Sequence, residues 1–395
     1  MLAMGRLRQL GECMTDRRNT VAEQFGYWGR VPSDGDVLPF SKVSPASGGE
    51  GHPKKKHHYI SATYIAGWTA DDGRVWAYRA DEPADPHRSH PFSIGYRKHY
   101  YSQTNELGER DDHRWEDLWG CIETVWPPTL CAVRDKRLSP AISFNLLGMV
   151  AIMRARVPAA RERHELLMAH KLRTEVKAAE ALGVLPYDLK IYAGRLDEVP
   201  VGINPEQSLG SMREDFMESG DLAFRLGFEV LHNATDIPFL TSDNPVCVYD
   251  PREPAHARTP YRTAKKVELL FPLSARMMLR GSTGLAPTNR VVRHRSVSNK
   301  ARVRQYNRTI AQFGYRLYIA QDRSCDALVM QYAQSVPTVA ICVQGGGCEY
   351  SIVWDHCFGP RPRLSHYIDT PEKAARLAKE MEKESFIFDR DGAEE

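Results

Sequence analysis

Apolar residues recur every three to four positions through the middle of the chain, the spacing typical of helices buried on one face. This pattern predicts helices over residues 115–125, 140–158, 159–182, 205–232 and 296–312. Ser139 is a preferred N-cap residue and Pro140 suits a first helical turn, so the second of these helices is expected to begin there.

Short apolar runs divided by helix-breaking residues dominate the chain after Asp236. They predict strands over 238–241, 246–249, 267–270, 277–280 and 315–320, after an earlier strand at 74–79. The four runs between 238 and 280 are expected to share one sheet, and residues 339–343 and 350–354 to form a hairpin. The expected fold class is therefore α+β, with a helical middle region packed on a mixed or antiparallel sheet formed largely by the C-terminal half.

The first 56 residues differ in composition from the remainder. Residues 32–56 are rich in Ser, Gly and Pro and end in three lysines, so residues 1–56 are predicted to be a flexible leader and linker. Residues 57–395 are predicted to form a single α+β domain, helix-rich over 110–232 and sheet-rich over 236–355, with a charged helix at 371–384.

Composition is that of an ordinary globular protein, with 42% hydrophobic and 26% charged residues. No apolar run approaches the roughly 18 residues of a membrane span, and the N-terminus lacks the apolar segment of a signal peptide. The eight cysteines include no closely spaced pair, so reduced thiols are expected, even for Cys342, Cys348 and Cys357. These features predict a cytoplasmic protein without a membrane partner.

Charge is distributed unevenly. Residues 251–323 carry 16 basic and three acidic side chains, a net charge of +13, so the rest of the chain sums to −10. Acidic patches of the same fold could balance this segment, or it could bind the phosphates of a nucleic acid. On the second interpretation Arg293 and Arg302 are candidate substrate contacts, because a guanidinium matches phosphate geometry.

Three stretches resemble the domain of unknown function 4238 family over about residues 57–320. They are His57–Ser61, with Ser61 in place of the usual proline, Ile122–Glu123, and Phe239–Pro245, which contains a Thr-Ser-Asp-Asn-Pro motif. The resemblance implies a shared fold unit in a mainly prokaryotic, intracellular setting, and it suggests a role in defence or in mobile elements. It implies no reaction.

The polar residues of these stretches are the candidate catalytic groups. Adjacent residues of an extended chain point to opposite sides, so only one of His57 and His58 can enter a given site, and the resemblance favours His58. Asp243 follows an apolar strand, with Ser242 and Asn244 beside it as candidate substrate contacts. The alternatives are a solvated basic loop for the histidines and a local turn bonded by Asp243 and Asn244.

Two further groups lie on the predicted helices. Glu123 could reach a site between helix and sheet, and Arg154 follows a buried apolar turn and therefore requires an anion. The simpler alternative is that Arg154 pairs with Glu123 as a structural ion pair.

His58, Glu123, Arg154 and Asp243 together suit hydrolysis of a phosphodiester. Glu123 and Asp243 would hold Mg²⁺ or Mn²⁺, His58 would move a proton and Arg154 would stabilise charge. We therefore expect a metal-assisted nuclease or another phosphoryl-acting hydrolase of bacterial type. Two alternatives stay open: a non-catalytic nucleic-acid-binding or regulatory module, and a small-molecule hydrolase or transferase with an anionic substrate. The chain lacks the motifs of P-loop, dinucleotide-binding, α/β-hydrolase and zinc-protease enzymes.

Overall fold

The structure is a computed structural model. It describes residues 56–104, 110–111, 114–197, 199, 201–203, 205–261, 265–286, 292–346 and 349–361. The predicted leader and linker, apart from Lys56, and the predicted helix 371–384 lie outside the described residues.

Helices dominate the middle of the described chain. The α-helices are α1 (Ala62–Ile65), α2 (Arg114–Arg134), α3 (Pro140–Ala155), α4 (Pro158–Ala181), α5 (Pro205–Arg225), α6 (Lys300–Phe313) and α7 (Asp326–Tyr332). Short 3₁₀ turns lie at Ala66–Trp68, Pro91–Ser93, Tyr187–Tyr192 and Ala255–Ala257. The start of α3 is confirmed: the hydroxyl of Ser139 accepts a hydrogen bond from the Ile142 N–H at 3.2 Å.

Strands come from both ends of the described chain. They are β1 (Lys56–His58), β2 (Val75–Arg79), β3 (Glu82–Ser89), β4 (Tyr96–Lys98), β5 (Gln103–Thr104), β6 (Arg110–Asp111), β7 (Gly227–Asn233), β8 (Thr241–Ser242), β9 (Cys247–Tyr249), β10 (Glu268–Ser274), β11 (Met277–Ser282), β12 (Arg293–Val297), β13 (Leu317–Ala320), β14 (Val336–Gly346) and β15 (Glu349–Gly359). The α+β class is confirmed.

Two sheets carry most of the fold. One has the order β12-β7-β11-β10-β9, parallel between β12 and β7 and otherwise antiparallel, and the other has the antiparallel order β3-β2-β13-β8. The expectation that the four runs between 238 and 280 share one sheet is wrong for the first run. Its strand β8 pairs with β13 instead, with Ser242 opposite Tyr318. The antiparallel hairpin β14–β15 is confirmed, and it is longer than predicted.

Two predicted helices are too long. The helix predicted over 205–232 ends at Arg225, and Gly227–Asn233 forms β7, whose first five residues are buried between neighbouring strands of the sheet. The helix predicted from 296 begins at Lys300 instead. Asn299 caps it by accepting hydrogen bonds from the N–H groups of Ala301 and Arg302.

Aromatic packing fixes the N-terminal segment against the sheet. Tyr64 of α1 stacks on Phe271 of β10 with ring centres 5.4 Å apart, and its hydroxyl donates to the Pro272 carbonyl at 2.8 Å. Trp68 donates its indole N–H to the Phe239 carbonyl at 2.7 Å. These contacts hold residues 57–61 beside the segment that carries the Thr-Ser-Asp-Asn-Pro motif.

Within the described ranges, no single helix has both the length and the apolar character needed to cross a bilayer. The pair α3 and α4, bent by 44° at the break between them, passes that test only when the two helices are taken together.

Candidate functional site

His58 lies at the end of β1 and faces away from its neighbour. The His57 ring is fully buried, and its Nδ1 accepts the Tyr101 N–H at 2.9 Å. The His58 ring lies 5.5 Å from the ring of Tyr96 on the paired strand β4. Its Nε2 atom is buried and no described residue hydrogen-bonds to it. The two side chains therefore point to opposite sides, as expected for adjacent residues of an extended chain. The ring nitrogen without a described partner is Nε2 of His58.

Glu123 of α2 and Arg156, which follows α3, form an ion pair next to His58. The Oε1 atom of Glu123 lies 2.6 Å from Nη1 of Arg156, which also donates from Nε to the Tyr59 carbonyl at 3.2 Å. The Arg156 side chain is 1% exposed and that of Glu123 is 27% exposed. The Nη2 atom of Arg156 has no hydrogen-bond partner among the described residues.

Burial and charge together set the protonation of His58. Burial lowers the pKa of His58, the positive charge of Arg156 lowers it further, and the carboxylate of Glu123 opposes both. The net pKa is lower than the ordinary value of 6.5, so the ring is neutral at pH 7. These three side chains, His58, Glu123 and Arg156, are called the His58 cluster below.

The simpler alternative, an ion pair between Arg154 and Glu123, is wrong. Its Nη2 atom lies 3.3 Å from Oε2 of Glu218 on α5, and its guanidinium lies 5.8 Å from the ring centre of Tyr261. Residues 154 and 156 are two positions apart at the end of a helix, which places their side chains on nearly opposite sides. Arg156 is therefore the arginine that the structure brings to Glu123.

Asp243, which directly follows β8, is fully buried beside the residues that lead into β13. Its Oδ1 accepts the N–H groups of Tyr315 at 3.1 Å and Arg316 at 3.0 Å, and its Oδ2 accepts that of Arg316 at 3.1 Å. The Asp243 N–H donates to the Leu317 carbonyl at 2.8 Å. The carboxylate thus bonds backbone amides more than 70 residues away, not those of a local turn.

Tyr59 lies between Asp243 and the His58 cluster. Its carbonyl accepts the bond from Arg156, while burial and then the charge of Asp243 raise the pKa of its phenol. The charge of Arg97 lowers the pKa of this phenol, and that of Glu162 raises it. The structure therefore places His58 and Glu123 together, Asp243 across Tyr59 from them, and Arg154 elsewhere.

The sequence profile of the DUF4238 family, described as proteins of unknown function, matches residues 56–324, which is most of the chain. The chain belongs to the DUF4238 family. The resemblance drawn from His57–Ser61 and Phe239–Pro245 is thereby confirmed. No curated protein and no solved structure matches the chain.

A row of charged residues on α4 of this DUF4238 protein is buried, and sequence reasoning missed it. Arg161, Glu162, Arg163 and Glu165 are each at most 8% exposed. Glu162 pairs with Arg316 and accepts the hydroxyl of Tyr315 at 2.7 Å. Four charged residues within five positions normally indicate a solvated face. The signal that could have revealed them is the lack of an apolar stripe on a 24-residue helix, which must bury something.

Glu162 is expected to make stability fall as the pH rises. Burial raises the pKa of Glu162 to about 8, against the hydrogen bond from Tyr315, whereas an unfolded glutamate titrates near 4.5. The folded protein therefore keeps a proton that the unfolded chain has lost, and this contribution to stability disappears as the pH passes the folded pKa. Between pH 7 and 9 the free energy of unfolding should fall by about 1.4 kcal/mol from this group.

Urea denaturation at pH 7, 8 and 9 measures this slope. The variant Glu162→Gln should lose the contribution of this group, whereas Glu175→Gln, at an exposed position of the same helix, should keep it. Burial also raises the pKa of Asp243, to about 7, and those of the Cys247 and Cys325 thiols, so these groups lower stability over the same range in both variants, and the difference between the variants isolates Glu162. A stability that rises with pH, or an unchanged slope in Glu162→Gln, would contradict the assignment.

Ser242 and Asn244, the candidate substrate contacts of the motif, are buried in bonds of the DUF4238 fold. The Ser242 hydroxyl accepts the Asn244 N–H at 3.2 Å. The Asn244 amide donates to the Tyr261 hydroxyl at 2.7 Å and to the Phe313 carbonyl at 2.8 Å. Both side chains therefore hold neighbouring segments together.

The basic segment is partly balanced by carboxylates of the same chain. Ion pairs join Arg252 to Asp250, Arg280 to Glu229 and Glu268, Lys300 to Asp236, and Arg323 to Asp326, and Arg316 contacts the side chain of Glu162. Arg293 on β12 and Arg302 on α6 are exposed, and Arg302 donates to the side chain of Gln305 at 3.1 Å. Arg304 and Arg308 are exposed on the same helix. The segment thus combines internal ion pairs with a basic surface.

The donor set does not fit a metal ion shared by Glu123 and Asp243. Both oxygens of Asp243 accept backbone N–H groups, and Glu123 is bound to Arg156. Within the described ranges, no three His, Cys, Asp or Glu side chains are grouped closely enough to hold one metal ion.

Proposed function

We propose that this DUF4238 protein is a phosphodiester hydrolase of nuclease type whose chemistry is carried by the His58 cluster. One observation supports this above all others. The Nε2 atom of His58 and the Nη2 atom of Arg156 are both buried and lack a partner among the described residues, and both side chains interact with Glu123, Arg156 through an ion pair and His58 through the charge that raises its pKa. An unpartnered base and an unpartnered cation at one carboxylate suit a substrate that brings a proton and an anionic oxygen.

The protonation of His58 supports the role of general base. A neutral imidazole carries its proton on one ring nitrogen, and the role of base requires that nitrogen to be Nδ1, so that the unpartnered Nε2 keeps a lone pair. Nε2 then takes the proton of an attacking water as its oxygen bonds to phosphorus and the P–O bond to the leaving group breaks. The alkoxide leaves on the opposite side of phosphorus and takes a proton from solvent, and the imidazolium then releases its own proton to solvent.

Arg156 and Glu123 supply the charges around this step. Arg156 Nη2 donates to a non-bridging phosphoryl oxygen, where negative charge grows. Glu123, which is partly exposed, fixes Arg156 through Nη1 and stabilises the imidazolium of His58. No step is assigned to Mg²⁺ or Mn²⁺, because the oxygens of Asp243 are occupied by backbone donors.

The exposed basic surface supports nucleic acid as the substrate. Arg304 and Arg308 lie four residues apart on α6 and share one face, and Arg293 and Arg295 alternate on β12, which leads into that helix. The same surface also supports the alternative of a non-catalytic nucleic-acid-binding module. Cys131, Cys247, Cys325, Cys342 and Cys357 are free thiols, which supports placing this activity in the cytoplasm.

Cleavage of labelled single- and double-stranded DNA and RNA tests the proposal. The wild-type protein should cleave at least one of these substrates in EDTA, and His58→Gln should slow cleavage by about 10²–10⁴-fold. His87→Gln, at an exposed position on β3, is the matched control and should cleave like the wild type.

Three outcomes would overturn this proposal in different ways. Binding that weakens steeply with salt but is never followed by cleavage would favour the nucleic-acid-binding module. Absence of binding would favour a small anionic substrate. Cleavage that requires Mg²⁺ or Mn²⁺ and survives the loss of His58 would show that a metal ion does the chemistry elsewhere.

A further inference from the structure

A second buried polar cluster lies where α3, α4 and β15 approach Tyr261. We call Arg154, Arg163 and His356 the Arg154 cluster. The guanidinium groups of Arg154 and Arg163 lie 5.8 Å and 5.3 Å from the centre of the Tyr261 ring, and the His356 ring lies 5.3 Å from it. One aromatic side chain thus gathers two arginines and a histidine from three separate elements.

The positive charge of this cluster is not fully balanced by buried carboxylates among the described residues. The Arg154 side chain is 4% exposed, and neither its Nε nor its Nη1 atom has a hydrogen-bond partner in the described chain. The carboxylate that contacts Arg154, from Glu218, is 51% exposed and therefore solvated. Arg163 pairs through Nη2 with the buried Asp215 at 2.5 Å, which His164 also contacts at 2.9 Å. The buried carboxylate of Asp215 therefore pairs with Arg163, whereas the carboxylate that contacts Arg154 is exposed.

His356 adds a further unpartnered atom. Its Nδ1 is buried and no described residue bonds to it. Burial, followed by the charges of Arg163 and Arg154, lowers the pKa of His356 to about 4, so the ring is neutral at pH 7. A neutral imidazole can donate one hydrogen bond beside the arginines without adding to their repulsion.

A buried arginine with unmet N–H groups is costly, and a bound anion removes that cost. The atoms without a partner are Nε and Nη1 of Arg154 and Nδ1 of His356, all near the Tyr261 ring, and a phosphate group carries several oxygens that can accept from such donors. We propose that the Arg154 cluster binds a phosphate group, carried by a small phosphorylated molecule such as a nucleotide or present as inorganic phosphate.

This binding site is separate from the proposed hydrolytic site. It shares no side chain with the His58 cluster, because Arg154 and Arg156 face opposite sides of the end of α3. Phosphate binding at the Arg154 cluster can therefore hold if the protein has no hydrolase activity, and it can fail if the activity is confirmed. The titrations described next use the Arg156→Gln background, which removes the cation of the His58 cluster, so that phosphate bound there does not contribute.

Isothermal titration with inorganic phosphate, and then with AMP, tests the proposal. Saturable binding is expected, and Arg154→Gln should weaken it at least tenfold, while Arg137→Gln, at an exposed arginine paired with Asp135, should leave it unchanged. Glu218→Gln removes the carboxylate that competes for Arg154 and should tighten binding several-fold. This second variant keeps the test decisive if Arg154→Gln does not fold.

The two titrations also identify the source of the phosphate group. Binding of AMP at least tenfold tighter than inorganic phosphate would assign the site to a nucleotide, and equal or weaker binding of AMP would assign it to free phosphate. No saturable binding of either compound up to about 10 mM would overturn the proposal. Equal affinities in the background protein and in its Arg154→Gln and Glu218→Gln variants would overturn it as well.

Discussion

Replacing Asp243 with alanine is expected to lower the free energy of unfolding by about 2–4 kcal/mol. The carboxylate accepts the backbone N–H groups of Tyr315 and Arg316 in a fully buried position, and alanine would leave both donors unmet. These bonds join the loop after β8 to the residues that lead into β13, so their loss weakens the edge of the four-stranded sheet. Urea denaturation at pH 7 measures the difference.

Two matched variants separate this effect from a general loss of charge. Asp236→Ala removes an exposed aspartate that pairs with Lys300, and it should cost less than about 1 kcal/mol. Asp243→Asn keeps one carbonyl oxygen as acceptor and should lie between the two. A loss below about 1 kcal/mol in Asp243→Ala would mean that the backbone bonds do not hold this segment, and that a role in chemistry should be reconsidered.

Local signals were enough to predict the elements that position the candidate site. Ser139 and Pro140 mark the start of α3, and the sequence Asp71-Asp72-Gly73 is typical of a turn, where Gly73 has a positive φ of 72°. The motif around Asp243 was correctly placed at the end of a strand. Its pairing with β13 was not predictable, because it depends on contacts between residues more than 70 positions apart.

The choice of arginine could not be made from the sequence. Arg154 and Arg156 both follow the same apolar run, and the point where α3 ends decides which one faces Glu123. A shift of one residue in that end would rotate both side chains by about 100°. The burial of Glu162 could not be predicted for a related reason. A run of charged residues indicates an exposed helix face, and only the fold shows that Tyr315 and Arg316 contact Glu162.

Breaking the pair of Glu123 and Arg156 is expected to destabilise the protein, and removing both charges is expected to restore it. Glu123→Ala would leave the Arg156 side chain, 1% exposed, without its carboxylate, at a cost of about 2–3 kcal/mol. The double variant Glu123→Leu/Arg156→Met replaces the pair with apolar side chains of similar size. It should recover most of that loss, because buried ion pairs rarely exceed apolar packing in net stability.

A double-mutant cycle in urea, with cleavage measured on the same four proteins, connects this stability to function. Glu175→Ala, which removes an exposed glutamate 3.9 Å from Lys171, is the control and should cost less than about 0.5 kcal/mol. If the double variant is stable but inactive, the fold does not require the pair and the chemistry does. If it is stable and still cleaves nucleic acid, the His58 cluster is structural and the active site lies elsewhere.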